Sequence, residues 1–209
     1  MKKIMFNDKY GLTDAVLEGR KTMTRRIIKS VNVVQSLNEI EEDGDINCSD
    51  TQIVINRFSR YQPGEVVAVT QSYNDSGWNP NTLQQTFVKE PTVFPDLDPI
   101  SPLSGWIDLP LKYHRGWSNK MFVYAGLMPH QIRITNVRVE RLQDISDDDC
   151  IREGIKEVPF TQYSWTDNEK MALFDTPRDA FAALIDKVSG KGTWESNPWV
   201  FVYEYELER

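Results

Sequence analysis

The stretch Gly19-Arg20-Lys21-Thr22-Met23-Thr24-Arg25-Arg26 constrains this chain more tightly than any other. Thr22 and Thr24 alternate around Met23, β-branched chemistry that suits a pleated strand. Four of the eight residues, Arg20, Lys21, Arg25 and Arg26, are cationic. Gly19 stands where a helix C-cap falls. Ahead of it, Leu12, Ala15, Val16 and Leu17 give an inward helical face, with Asn7 or Asp8 as the cap and Glu18 as the end. Behind it, Ile27-Ile28 completes a strand from Thr22 to Ile28. So many charges beside so many hydroxyls suit a polar or anionic ligand. The alternative is a solvated, charged strand edge, which blocks aggregation and which charge alone favours.

Composition narrows the choice. The net charge of −7 argues against broad, nonspecific binding to nucleic acid. Residues 1–30 carry eight cations against three acids, a local +5 that leaves −12 for the rest. A basic face on an acidic protein fits a defined anionic ligand better than a long polyanion. With 40% hydrophobic residues in 209, the chain is expected to bury a core, as one large domain or a small domain with insertions. No apolar run has the length of a membrane span. The two N-terminal lysines precede no long apolar region, so no signal peptide is read there. Cys48 and Cys150 fit no metal spacing, and His114 and His130 do not cluster. A reduced, cytoplasmic protein without metal or cofactor is expected.

Taken in order, Lys3–Phe6 reads as a first strand. Residues 30–50 turn acidic and read as an excursion, followed by a strand over Thr51–Phe58. Gln62-Pro63-Gly64 is a turn into the buried strand Glu65–Thr70. Residues 74–119 hold six of the eleven prolines together with Trp78, Trp106 and Trp117, and read as a long ordered loop. Such a loop either contacts a ligand or covers one end of a sheet. A short strand is expected at Lys120–Tyr124. Gln131–Leu142 alternates cleanly, with a phase slip at Thr135-Asn136 that implies a bulge or bend. Ser146 with Asp149 caps a helix over Asp147–Glu153, with Cys150 and Ile151 facing inward. Glu153 falls in its last turn, where the helix dipole disfavours an anion. It is therefore either solvated or turned toward the basic stretch or a ligand. Residues 156–175 read as irregular, Thr176–Val188 as a Pro-initiated helix and Trp199–Leu207 as the last strand.

This order, with Leu17–Arg26, Tyr61–Val67, Val137–Ile145, Glu153-Gly154 and Trp194–Val200, resembles the ASCH domain family over about half the chain. The closing stretch resembles larger members, often prophage-borne. The resemblance implies an α+β fold, a PUA-like mixed β-barrel with flanking helices. It also implies insertions at about 30–50, 74–119 and 156–175, and an association with RNA or modified nucleosides. Compact members include amidohydrolases that remove an acyl group from the exocyclic amine of cytidine. By that resemblance Lys21, Thr24 and Glu153 are the catalytic residues, and Arg20, Thr22, Arg25 and Arg26 contact the ligand. Lys21 and Thr24 converge only if the chain turns or bulges after Gly19, because side chains alternate along a strand. Three functions follow as expectations. The first is binding of RNA or a modified nucleoside. The second is metal-independent deacylation of acetylated cytidine, and the third a non-catalytic partner interface built on the aromatic insertion.

Overall fold

A computed structural model describes residues 1–42, 48–77, 115–159, 162–165 and 172–208. The chain is α+β and divides into two compact units. Met1–Met5 with Val67–Gln131 form the first, and Phe6–Val66 with Ile132–Arg209 form the second.

In the first unit, β1 (Lys2–Ile4) lies parallel to β3 (Val66–Val69), with Ile4 opposite Val69. Val67, Ala68 and Val69 are fully buried, as their unbroken apolar run requires. Ala68, Tyr73, Val123, Leu127 and Met128 form a core, with Trp117 packed against it. Lys3 Nζ donates to the carbonyls of Met121 (2.7 Å) and Val123 (2.9 Å). The strand expected at Lys120–Tyr124 is instead a 3-10 turn, Lys120–Phe122. The Asn119 side chain accepts from Met121 N at 3.0 Å, a cap that competes with extended backbone. Trp78 and Trp106, expected in the aromatic insertion, lie outside the described residues.

In the second unit, β2 (Met23–Ile27) runs antiparallel to β7 (Trp199–Glu208), and β4 (Gln131–Arg141) lies on the other side of β7. Met23 faces Glu204, Thr24 faces Tyr203 and Arg25 faces Val202. Strand β2 pairs with β7 alone among the described residues, so the sheet is open at that edge. The phase slip in β4 is present: Ile132, Ile134 and Val137 are buried while Thr135 and Asn136 are exposed. The first helix is shorter than expected. A 3-10 turn at Asp8–Tyr10 ends at Gly11 (φ +66°), and α1 spans Leu12–Leu17.

Two stretches differ in kind from the sequence reading. Residues 30–50 and Thr51–Phe58 supply two helices, α2 (Val31–Glu42) and α3 (Cys48–Phe58). In α2 the inward set is Val33, Leu37 and Ile40, a helical spacing masked by the surrounding acidic residues. In α3 the run Ile53-Val54-Ile55 suggests a strand by propensity, yet Val54 and Ile55 are both buried and Ile53 is exposed. Neighbouring buried positions fit a helix and not an alternating strand. The stretch expected to be irregular over 156–175 holds two short strands, with β5 (Lys156–Val158) antiparallel to β6 (Gln162–Ser164).

Helix α4 spans Asp147–Arg152 and α5 spans Pro177–Ser189. Helix α5 packs on α4, on β6 and on α6 (Thr193–Ser196), with Phe181 and Leu184 in the core. Cys150 is buried as expected, whereas Ile151 is exposed. The short α4 turns one residue inward at that level, toward α5. Thr176 caps α5 by accepting from Asp179 N at 3.0 Å. Thr176→Ala is expected to cost about 1 kcal/mol, read as a lower urea midpoint at unchanged slope.

Candidate active site

The site lies where the start of β2 meets the end of α4, wholly within the second unit. Gly19 adopts φ +74° and the Lys21 N–H bonds the Ala15 carbonyl at 2.8 Å, so the chain turns back on α1 before β2 begins. Lys21 therefore precedes the strand and escapes its alternation. Its side chain is buried, and Nζ donates to the Glu153 carboxylate (Oε2, 2.5 Å) and to the Glu153 carbonyl (2.6 Å). Burial pushes the Lys21 amine below the ordinary lysine value; Glu153 opposes this, and the charges of Arg26 and Arg25 add to it.

Glu153 is the residue that closes α4, and it turns toward the basic stretch. Gly154 follows at φ +105°, a conformation that L side chains rarely adopt. A Cβ there would stand 3.6 Å from the Lys21 stem and 3.7 Å from Leu12. Those are ordinary contact distances, so it is the positive φ, and not a shortage of room, that favours glycine after Glu153.

The second Glu153 oxygen, Oε1, accepts from Arg25 Nη1 at 3.2 Å. Arg25 also bonds Glu140 (2.6 Å) and Asp149 (2.9 Å), with its side chain only 1% exposed. Around it, Arg138 pairs with Asp149 (3.0 Å) and Glu140 (3.4 Å), and Arg152 pairs with Glu204 (2.8 Å). Four cations, Lys21, Arg25, Arg138 and Arg152, meet four carboxylates, Glu140, Asp149, Glu153 and Glu204. Burial pushes Asp149 up, but hydrogen bonds and charge from Arg138 and Arg25 outweigh it and hold its carboxyl below the usual range. Glu204 is likewise held low: burial raises it, and Arg152, Asn136 and Arg138 more than offset that.

Strand β2 thus has two faces. Met23 and Arg25 share one with Val202 and Glu204. Thr24 and Arg26 share the other with Tyr203 and Phe201. Thr24 is buried there. Lys21 Nζ and Arg26 Cζ lie 6.0 and 5.7 Å from the centroid of one ring, Phe6. The lysine amine and the Arg26 guanidinium thus share one aromatic ring. The structure joins Lys21 to Glu153 directly, and no hydrogen bond links Thr24 to either among the described residues.

The expected ligand contacts are dispersed. Arg20 is exposed and paired with Glu18 (2.6 Å). Thr22 is tied to Arg152, giving its N–H to the Arg152 carbonyl (2.9 Å). Arg25 is enclosed by carboxylates, and Arg26 lies over Phe6. Sequence reasoning missed Arg138, Glu140, Asp149, Arg152 and Glu204. Two signals pointed to them: Arg138 and Glu140 share a strand face, and Asp149 lies four residues before Glu153. Among the described residues no cluster of histidine, cysteine and carboxylate side chains is arranged to hold a metal ion, and no helix is long and apolar enough to cross a membrane. No known protein family matches the chain, and neither a curated protein nor a solved structure does.

Two outcomes test this arrangement. Asp149 and Glu204 have folded values below their unfolded ones, so the stability they contribute is present above about pH 4 and is lost as pH falls through the folded values. Denaturant melts of Asp149→Asn should therefore be destabilised at pH 7 and show a shallower further loss on acidification than the unaltered protein. Gly154→Ala should cost about 1–2 kcal/mol, measured by thermal melting.

Proposed function

We propose that this chain is an ASCH-type, PUA-like protein of the cytoplasm that binds a modified nucleoside and hydrolyses an acyl amide on its exocyclic amine. The buried Lys21–Glu153 contact carries this reading. Burial lowers the Lys21 amine and so favours the neutral form that a general base needs, and a threonine hydroxyl needs such a base to become a nucleophile. Thr24 is the nucleophile in this scheme. In the form where Lys21 has given up its proton, Thr24 Oγ attacks the acyl carbonyl while its own proton passes to the neutral Lys21 Nζ. Collapse of the tetrahedral adduct breaks the C–N bond, and the leaving amine takes a proton delivered along the Lys21–Glu153 contact. Water then releases the acyl group from Thr24 by the same route in reverse. Thr24 closes on Lys21 as substrate binds, since catalytic hydrogen bonds often tighten only in the complex.

The barrel implied by the family resemblance belongs to the same proposal. A small ligand is favoured over a long RNA by the disposition of charge: Arg20 pairs with Glu18, and Arg25 is enclosed by three carboxylates. The basic stretch is therefore largely neutralised from within the fold. Binding without turnover is the second reading, favoured by the absence of a hydrogen bond from Thr24 to Lys21.

Release of cytidine from acetylated cytidine by the purified protein separates the two. Hydrolysis predicts turnover that falls about 10³-fold in Lys21→Ala and in Thr24→Ala. Saturable binding with no turnover sinks the hydrolase and leaves the binding module. A salt-sensitive affinity for RNA, lowered by Arg26→Ala, would instead restore the polyanion.

A further inference from the structure

Arg25 is not required by the proposed chemistry, yet among the described residues of the second unit it is the most enclosed cation apart from Lys21. Its guanidinium spans Glu140, Asp149 and Glu153, and its Nη1 also lies 3.2 Å from Met23 Sδ. The ring of Phe181 lies 6.0 Å from its Cζ. Glu153 is consequently shared: Oε2 faces Lys21 at 2.5 Å and Oε1 faces Arg25 at 3.2 Å.

We propose that Arg25 is a positioning residue that prepares Lys21 as a proton acceptor, by competing with it for the single carboxylate of Glu153. This rests on the hydrolase reading for its purpose, but the competition itself is a property of the free protein. An arginine stays charged at any working pH. It therefore draws on Glu153 constantly, whereas Lys21 can lose its charge. A carboxylate already engaged by a permanent cation stabilises a second cation less, and Arg25 repels the Lys21 ammonium directly. Without Arg25, Glu153 would serve Lys21 alone and hold its proton more firmly.

The groups that face Lys21 come from every neighbouring element. They are Glu153 at the end of α4, Arg25 and Arg26 on β2, and the Phe6 ring; Tyr205 on β7 faces Glu153 and Arg26 in turn. Tyr205 is kept neutral by complete burial, and its hydroxyl donates to the Met23 carbonyl at 3.4 Å. Glu140 and Asp149 fix the opposite side of the Arg25 fork. That leaves Glu153 as the member through which Arg25 acts on Lys21.

The test is the titration of Lys21, followed by NMR on protein carrying ¹³C-labelled lysine side chains and assigned by Lys21→Arg. In the unaltered protein Lys21 should titrate below the other lysines. In Arg25→Gln it should move up by about one pH unit or more. Because that change strands three carboxylates, the charge-balanced Arg25→Gln/Glu140→Gln variant is measured beside it. An upward shift in either folded variant supports the role. An unmoved Lys21 titration in a folded variant overturns it, and so does an ordinary lysine value in the unaltered protein. Failure of both variants to fold also overturns it, assigning Arg25 to structure alone. Where acetylated cytidine is turned over, Arg25→Gln should lower kcat about 10-fold or more with little change in KM, and move the rising limb of the pH profile upward. If no turnover is found at all, the hydrolase reading fails while the titration still decides the role of Arg25.

Discussion

Glu153 holds Lys21 with one carboxylate oxygen and Arg25 with the other, and the charged interior of the second unit is built around that sharing. Three ionised groups out of water are costly unless each is compensated. Here compensation is mutual. Glu140 and Asp149 complete the Arg25 fork, Arg138 answers both, and Arg152 and Glu204 extend the set toward solvent. The balance also places backbone. The end of α4, the entry to β2 and the end of β4 meet at this set of charges.

The same sharing divides β2 by face. One face is saturated with internal ion pairs through Arg25, and the other carries Thr24 and Arg26 beside Tyr203 and Phe201 of β7 and the Phe6 ring. Lys21 precedes the strand and belongs to neither alternation. It takes Glu153 from the helix end while its amine lies over Phe6. On the proposed reading Lys21 supplies the base and Thr24 the hydroxyl, without the arginines serving as phosphate contacts. The density of cations that made the stretch conspicuous is thus mostly consumed inside the fold.

Where local propensity and tertiary packing disagreed, packing decided. Ile53-Val54-Ile55 is β-branched throughout, yet it lies in α3 because burying Val54 and Ile55 together needs a helical face. The acidic residues of α2 concealed Val33, Leu37 and Ile40, an apolar stripe diluted across twelve positions. The hairpin of β5 and β6 has strands of three residues, too short to show alternation. Long elements with strong periodicity, β4, α5 and β7, matched their sequence limits to within a residue or two.

The sequence by itself determined the elements whose pattern is local. These were the α+β class, the glycine stop at Gly19, the alternation and slip of β4, the Pro-initiated α5, and the oddity of an acid at the end of α4. It also marked Lys21, Thr24 and Glu153 as a set, through family resemblance and not through spacing. Only the tertiary structure decided that Glu153 turns inward, that Lys21 stands outside the strand alternation, and that Arg25 faces three carboxylates. The physical reason is separation along the chain. Residues 21–25, 138–153 and 204 bring opposite charges together from distant segments. Which charge answers which is settled by burial, and no local pattern encodes it.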